Sequence, residues 1–315
     1  MVAPIAIFAF NRPQHLLNLF LTLIKNDQVY LQKVYVFVDG PRTSADKLKI
    51  NEVCETASEF SKYFDTMEII RRKKNLGSAN NIVEGVSNTL DKFPTVIVLE
   101  DDLILGKYFL QYMNDALVRY ELNPLVYHIS GFSEFNNEND YVEAYFSRGM
   151  NCWGWATWKH NWHFLERNVD IHLGNFSKAD VKRLNFDGST DFFSQLTENK
   201  IGVLRTWAIF WYASIFHNGG LCLNPTKALA INKGNDGSGE HVGLVSHHQV
   251  LYDGPVLNFP EIVEENQQYF LILQSIYKSK NNYIKYLIRK IISFAPAGFQ
   301  IFFYNTYRAL VRKIK

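Results

Sequence analysis

Four short apolar runs, each broken by polar residues, occupy the first hundred residues of the chain. They are 4–10 (PIAIFAF), 33–38 (KVYVFV), 67–71 (MEIIR) and 95–99 (TVIVL). Apolar runs of that length suit strands buried on both faces, as in a parallel sheet. Segments 13–26, 44–64 and 78–92 between them read as helices, the first with Leu16, Leu17, Phe20, Leu23 and Ile24 at helical spacing. Strands alternating with helices predict an α/β fold: a mostly parallel, Rossmann-like sheet with helices on both faces.

The fourth run ends in three consecutive carboxylates, Glu100, Asp101 and Asp102. They sit at the carboxyl end of a central strand, the edge where open α/β sheets bind ligands. Adjacent carboxylates repel one another unless something cationic lies among them. A divalent cation carrying substrate phosphates meets that need with one or two protein carboxylates. The competing reading is a solvated acidic turn ahead of a helix from Lys107 onward. Arg12 after strand one, Asp39 in Asp39-Gly40-Pro41, and Arg71 to Asn75 after strand three fall at the same edge. Singly each suits a turn or a helix entry. Together they line one crevice with a cation, an acceptor carboxylate, amides and a metal site, as a nucleotide diphosphate requires.

After about residue 125 the rhythm changes. Strands are expected at 126–130, 143–146 and near 221–223, and an aromatic-rich helix at 203–217. Trp153, Trp155, Trp158 and Trp162 keep no single helical face. Trp153 and Trp155 are therefore candidates to stack on an acceptor sugar, with a hydrophobic plug as the alternative. Trp207 and Trp211, four apart, suit the core. Asn232–His241 carries three glycines and no apolar residue, which predicts a loop. The chain is 47% hydrophobic and 20% charged, as globular chains are. Cys54, Cys152 and Cys222 lack paired spacing, so neither a disulfide framework nor a zinc site is implied and a reducing compartment fits. No signal-peptide pattern and no run of ~20 apolar residues is present, so a cytoplasmic location is expected.

IFAFNRP (7–13), VFVDG (36–40), KNLGSANNI (74–82), VLEDDL (98–103), CWGWATW (152–158) and NKGNDGSGEH (232–241) occur in an order that resembles the GT-A nucleotide-sugar glycosyltransferases. The resemblance is to the branch of N-acetylglucosaminyltransferase I and its bacterial sugar-transferase relatives. It implies a nucleotide-sugar-binding half at 1–125 and an acceptor-binding half at 126–260 of one GT-A domain, then a helical segment at 261–315. Residue by residue, it implies that Asp39 binds uracil, Arg12 contacts the nucleotide and Asn75 the donor. Glu100 and Asp101 would reach sugar and ribose, Asp102 would ligate Mn²⁺ or Mg²⁺, and loop 232–241 would cover the diphosphate, with Lys233 against its charge. The family places its base, an aspartate, just before a tryptophan; here Arg205-Thr206 precede Trp207. Asp236 and Glu240 are the named substitutes, and loop solubility is their other reading. His241 is a candidate metal or phosphate contact. The implied activity is sugar transfer to a glycan or lipid-linked acceptor in surface-polysaccharide synthesis. A nucleotidyltransferase and an inactive sugar-binding protein are the rivals.

The tail stands apart electrostatically. After Glu265 there is no acidic residue, while nine lysines and arginines follow; the whole chain is formally +2, so the remainder stands at −7. Segments 282–294 and 298–314 are basic, aromatic-rich and amphipathic, which suits an anionic membrane surface. Nucleic acid competes for any basic patch, but no nucleic-acid-binding motif accompanies this one. Packing on the catalytic domain is the third reading. Deleting 279–315 is expected to leave the protein in the supernatant when anionic vesicles pellet the full chain. Equal pelleting of both proteins would remove the anchor.

Overall fold

The structure, a computed structural model, describes residues 2–135, 142–234 and 250–280. The chain forms two compact units, one from Met1–Phe164 with Asn218–Asn266 and the other from Leu165–His217 with Gln267–Lys315.

The first unit opens with the alternation read from the sequence. Strand β1 (Ile5–Ala9) leads to α1 (Pro13–Leu23), β2 (Lys33–Val38) to α2 (Asp46–Phe60), and β3 (Thr66–Arg71) to α3 (Ser78–Lys92), before β4 (Thr95–Glu100). Every residue of β1 is buried, which is why that strand shows no polar alternation. Helix α1 buries Leu16, Leu19, Phe20 and Leu23 along one stripe. Its first residue is Pro13, whose fixed φ suits a helix start. Helix α2 is shorter than the expected 44–64, because Ser61–Tyr63 tighten into a 3₁₀ turn.

The chain continues through β5 (Leu103–Leu105), α4 (Phe109–Arg119), β6 (Val126–Ser130), β7 (Ala144–Ser147), β8 (Trp155–Trp158) and α5 (Lys159–Trp162). In the second unit come α6 (Val169–Asn175), α7 (Lys178–Leu184), α8 (Ser194–Lys200) and α9 (Ala208–His217). Strands β9 (Leu221–Pro225) and β10 (Ala230–Asn232) return to the first unit, and α10 (Gln267–Lys280) belongs to the second.

Eight strands form one sheet in the order β3-β2-β1-β4-β8-β6-β9-β7. The first four are parallel, β8 runs against both β4 and β6, β9 runs with β6, and β7 runs against β9. The fold is thus a mixed α/β, Rossmann-like architecture on a large, mostly parallel sheet. The strand order reverses beside β1, where the chain crosses from β3 back to β4; ligands bind outside strand ends at such a switch point. A two-stranded sheet pairs β10 with β5, setting Asn232 opposite Leu103.

WATW becomes a strand because β4 and β6 flank it on both sides. Trp155 and Trp158 are fully buried there, and Trp158 Nε1 donates to the Leu117 carbonyl (3.1 Å). In the second unit, Ile209 to Ile215 of α9 are all buried, as are Trp207 and Trp211. The helix starts at Ala208 rather than 203; the Ala208 N–H donates to Thr206 Oγ1 (3.3 Å), which caps it. Phe186 packs on Phe270 of α10 and, with Phe192, edge-on against Tyr277. Among the described residues no helix is long and apolar enough to cross a membrane. The helices expected at 282–294 and 298–314 lie outside the described residues.

His128 on β6 is fully buried, stacks on Trp155, and its Nε2 lies 2.8 Å from the Asn151 carbonyl. Burial pushes the imidazole down to about 3, against the small lift from that hydrogen bond. The unfolded chain then takes up a proton that the folded chain refuses. This contribution is complete above the ordinary histidine value of 6.5 and declines as pH falls toward 3. Between those limits wild type is expected to lose about 1.4 kcal/mol of stability per pH unit through this group. Urea titrations should show a correspondingly shallower acid decline in His128→Gln.

Candidate functional site

The switch point brings Arg12, which follows β1, against the acids that follow β4. Arg12 Nη2 donates to Asp101 Oδ1 and, at 2.9 Å, to Asp102 Oδ2. The cation between the carboxylates is therefore one of the chain's own side chains. Those of Arg12, Asp101 and Asp102 are 18%, 3% and 12% exposed, so the pair works in partial shelter from water. Burial pushes the Asp101 carboxyl up to about 7; the Arg12 guanidinium opposes that rise and Asp102 adds to it. Burial works against the charge on Arg12, but the two carboxylates outweigh it and raise its pKa. Arg12 Nη1 is buried and has no hydrogen-bond partner among the described residues.

The return of β10 completes the cluster. Asn232 Nδ2 donates to Asp102 Oδ1 (2.9 Å), the Lys233 N–H donates to the Asp102 carbonyl (2.8 Å), and the Gly234 N–H donates to Asn232 Oδ1 (2.8 Å). A β-carbon on Gly234 would fall 2.2 Å from Asp102 Oδ2 and 3.2 Å from Arg12 Nη1. Glycine is required here because the backbone touches the carboxylate. Asn232 and Gly234 belong to the loop expected over the diphosphate, but their contact with Asp102 was not foreseen. Their only sequence signal was the Asn-Lys-Gly turn pattern at the head of the loop.

Asp39 forms a second hub. Its Oδ1 accepts from the N–H groups of Gly40 and Leu76 (both 2.8 Å), and its Oδ2 accepts from Asn75 Nδ2 and the Gly77 N–H (both 3.0 Å). A carboxylate has about four lone-pair sites, and all are filled here. Asn75 Nδ2 also reaches the Gly40 carbonyl (2.8 Å). Gly40 admits no side chain, since a β-carbon would lie 2.3 Å from the Lys74 backbone. Gly77 holds φ +76° just before α3, a value glycine adopts without strain. Asp39 and Asn75 are thus brought together, with the carboxylate directed into the turn that starts α3. A direct contact with uracil would require breaking one of those bonds.

The remaining candidates are scattered. Arg71 is exposed at the end of β3, whereas its neighbour Arg72 turns inward over the Phe37 ring and donates from Nε to Asn81 Oδ1 (3.2 Å). Glu100 ends β4 half-buried; after burial itself, its charge is the main influence pushing the Cys152 thiol up to about 12. Trp153 is half-buried and meets Phe132 edge-on. Trp155 is corrected: its ring is wholly buried between strands, against His128 and Trp162, and offers no face to a sugar. Lys233 is exposed beside Asp102. Asp236, Glu240 and His241 lie outside the described residues.

Fold and site together define a Rossmann-like α/β protein with charged groups gathered at the carboxyl ends of its central strands. No protein-family model matches the chain, and no curated protein matches it in sequence. Among solved structures it is similar to S. aureus TarS, at 12% identity and a TM-score of 0.32. The match covers 45% of this chain and 24% of TarS, and a likeness of that extent carries no argument about activity.

Asp39→Ala strands four donors, from Gly40, Asn75, Leu76 and Gly77. It is expected to lower the free energy of unfolding by about 2–3 kcal/mol, read from the urea midpoint. Arg71→Ala, at an exposed position, should change it by less than about 0.5 kcal/mol.

Proposed function

We propose that the chain is a glycosyltransferase that moves a sugar from a nucleotide-diphosphate donor, a UDP-sugar, to a glycan or lipid-linked acceptor. The observation that supports this reading is the cluster at the β1/β4 switch point. There Asp101 and Asp102 share a sheltered guanidinium, and the Asn232 side chain and the Lys233 N–H hold Asp102.

The anomeric carbon–phosphate bond breaks through an oxocarbenium-like transition state, as in glycoside chemistry. Negative charge collects on the departing diphosphate. Arg12 offers it the partnerless Nη1 donor, and Lys233 stands at the same edge with an exposed ammonium. Asp39 would serve the donor by fixing the 75–77 turn, with Asn75 as the donor contact.

A divalent ion fits these residues. Mg²⁺ and Mn²⁺ take hard oxygen ligands, and an ion delivered with phosphates needs only one or two carboxylates. Asp102 supplies one, with Glu100 at the end of the same strand. Among the described residues no cluster of three or more His, Cys, Asp or Glu forms a wholly protein-built cage. The ion, when bound, supplies Lewis-acid stabilisation of the leaving diphosphate. Asp236 or Glu240 would accept the acceptor's proton, and Trp153 would lie against the acceptor. The basic segments 282–294 and 298–314 would keep the enzyme on an anionic cytoplasmic membrane face, consistent with surface-polysaccharide assembly.

Incubating the full chain with UDP-sugars and Mn²⁺ should give slow release of UDP and free sugar. Asp102→Asn is expected to reduce that release on the order of 100-fold in protein that keeps its native circular dichroism spectrum. Near-wild-type turnover in that variant would remove the assignment, and pyrophosphate release would mark a nucleotidyltransferase instead.

A further inference from the structure

The geometry points to Arg12 as a resident counter-ion of Asp102, which a divalent cation and a pyrophosphate displace together but the cation alone displaces poorly. This rests on the glycosyltransferase reading, because it takes the nucleotide diphosphate as the anion.

Three observations carry it. First, Arg12 Nη2 is shared between Asp101 Oδ1 and Asp102 Oδ2, so the guanidinium occupies one oxygen of the carboxylate proposed to hold the ion. Asn232 Nδ2 occupies the other at 2.9 Å. Second, Asp102 cannot shift away from the guanidinium. Asp102 is pinned through its own carbonyl by the Lys233 N–H, and the Gly234 backbone lies so close that a β-carbon there would overlap Oδ2. A cation approaching Asp102 therefore meets the guanidinium within a few ångströms, in a site sheltered enough for that repulsion to count. Third, Arg12 Nη1 is a buried donor with no partner among the described residues. Such a donor is unfavourable as it stands and gains most from an acceptor anion.

A pyrophosphate relieves both strains. Its oxygens give the guanidinium a bidentate partner. As Arg12 turns toward them, Asp102 loses its resident cation and is left free for the incoming one. Each ligand thus prepares the site for the other. By linkage the factor is the same in both directions: UDP tightens Mn²⁺ as much as Mn²⁺ tightens UDP. Arg12 is in this respect a positioning residue, acting on the ion through Asp102.

The test measures binding, not turnover, on the full chain, with Mn²⁺ followed by electron paramagnetic resonance and UDP by calorimetry. Wild type should bind Mn²⁺ at least about tenfold more tightly with saturating UDP than without it. Arg12→Met, which keeps the bulk and removes the charge, should bind Mn²⁺ alone about tenfold more tightly than wild type, and UDP should then add little. Arg12→Lys has a compact ammonium that cannot bridge both carboxylates as the fork does, and should fall between the two. It supplies the answer if Arg12→Met fails to fold. Wild type that binds Mn²⁺ with UDP, alongside variants that gain no affinity for Mn²⁺ alone, overturns the counter-ion role and leaves the glycosyltransferase reading standing. Wild type that binds neither ligand, singly or together, overturns both.

Discussion

The ion pair of Arg12 with Asp101 and Asp102 is the contact on which the rest of the molecule's chemistry depends. The topology sets two carboxylates at the reversal point of a sheet, beside the fully buried strand β1. Breaking a sheltered pair of this kind by removing one partner leaves an uncompensated charge, which costs far more than the pair itself contributes. The β1–α1 connection meets that demand because the residue just before Pro13, which starts α1, is an arginine. One side chain thus reconciles the fold with its acids and faces any anionic ligand. The same residues cannot be tuned for stability without altering the site.

Two carboxylates at one edge have diverged in use. Asp39 accepts four hydrogen bonds from residues 40 and 75–77 and so builds the entrance to α3. Asp102 is held by two side chains, the Arg12 guanidinium and the Asn232 amide, and by neither helix entrance nor turn. That difference cannot be read from an aspartate at the end of a strand.

The parallel half was legible because buried strands and amphipathic helices carry their periods locally: β1 to β4 fall within a residue or two of the apolar runs, α3 matches its expected span, and α1 ends three residues early. The four edge groups were legible for the same reason, since strand ends in a parallel sheet share one side. What failed was set by partners distant in sequence. WATW sets its tryptophans three apart, on opposite faces of the strand, and the exposure of Trp155 is decided by His128 on β6 and Trp162 on α5, which pack on its ring. Arg71 and Arg72 are indistinguishable as neighbours; the register Val38↔Arg71 and the Phe37 ring decide which turns inward. Helices α6, α7 and α8 were hidden because each is only seven residues long, too short for an apolar stripe to show a period, whereas the aromatic-rich α9 was read within 203–217.

Asn232 meets Asp102 across 130 positions of sequence, whereas Arg12 precedes it by 90. During synthesis the arginine is therefore in hand when the acids emerge from the ribosome. The asparagine follows on the order of ten seconds later, at ordinary elongation rates. Arg12 is thus made before the acids it pairs with, and strand β10 brings Asn232 to Asp102 only after both are in place.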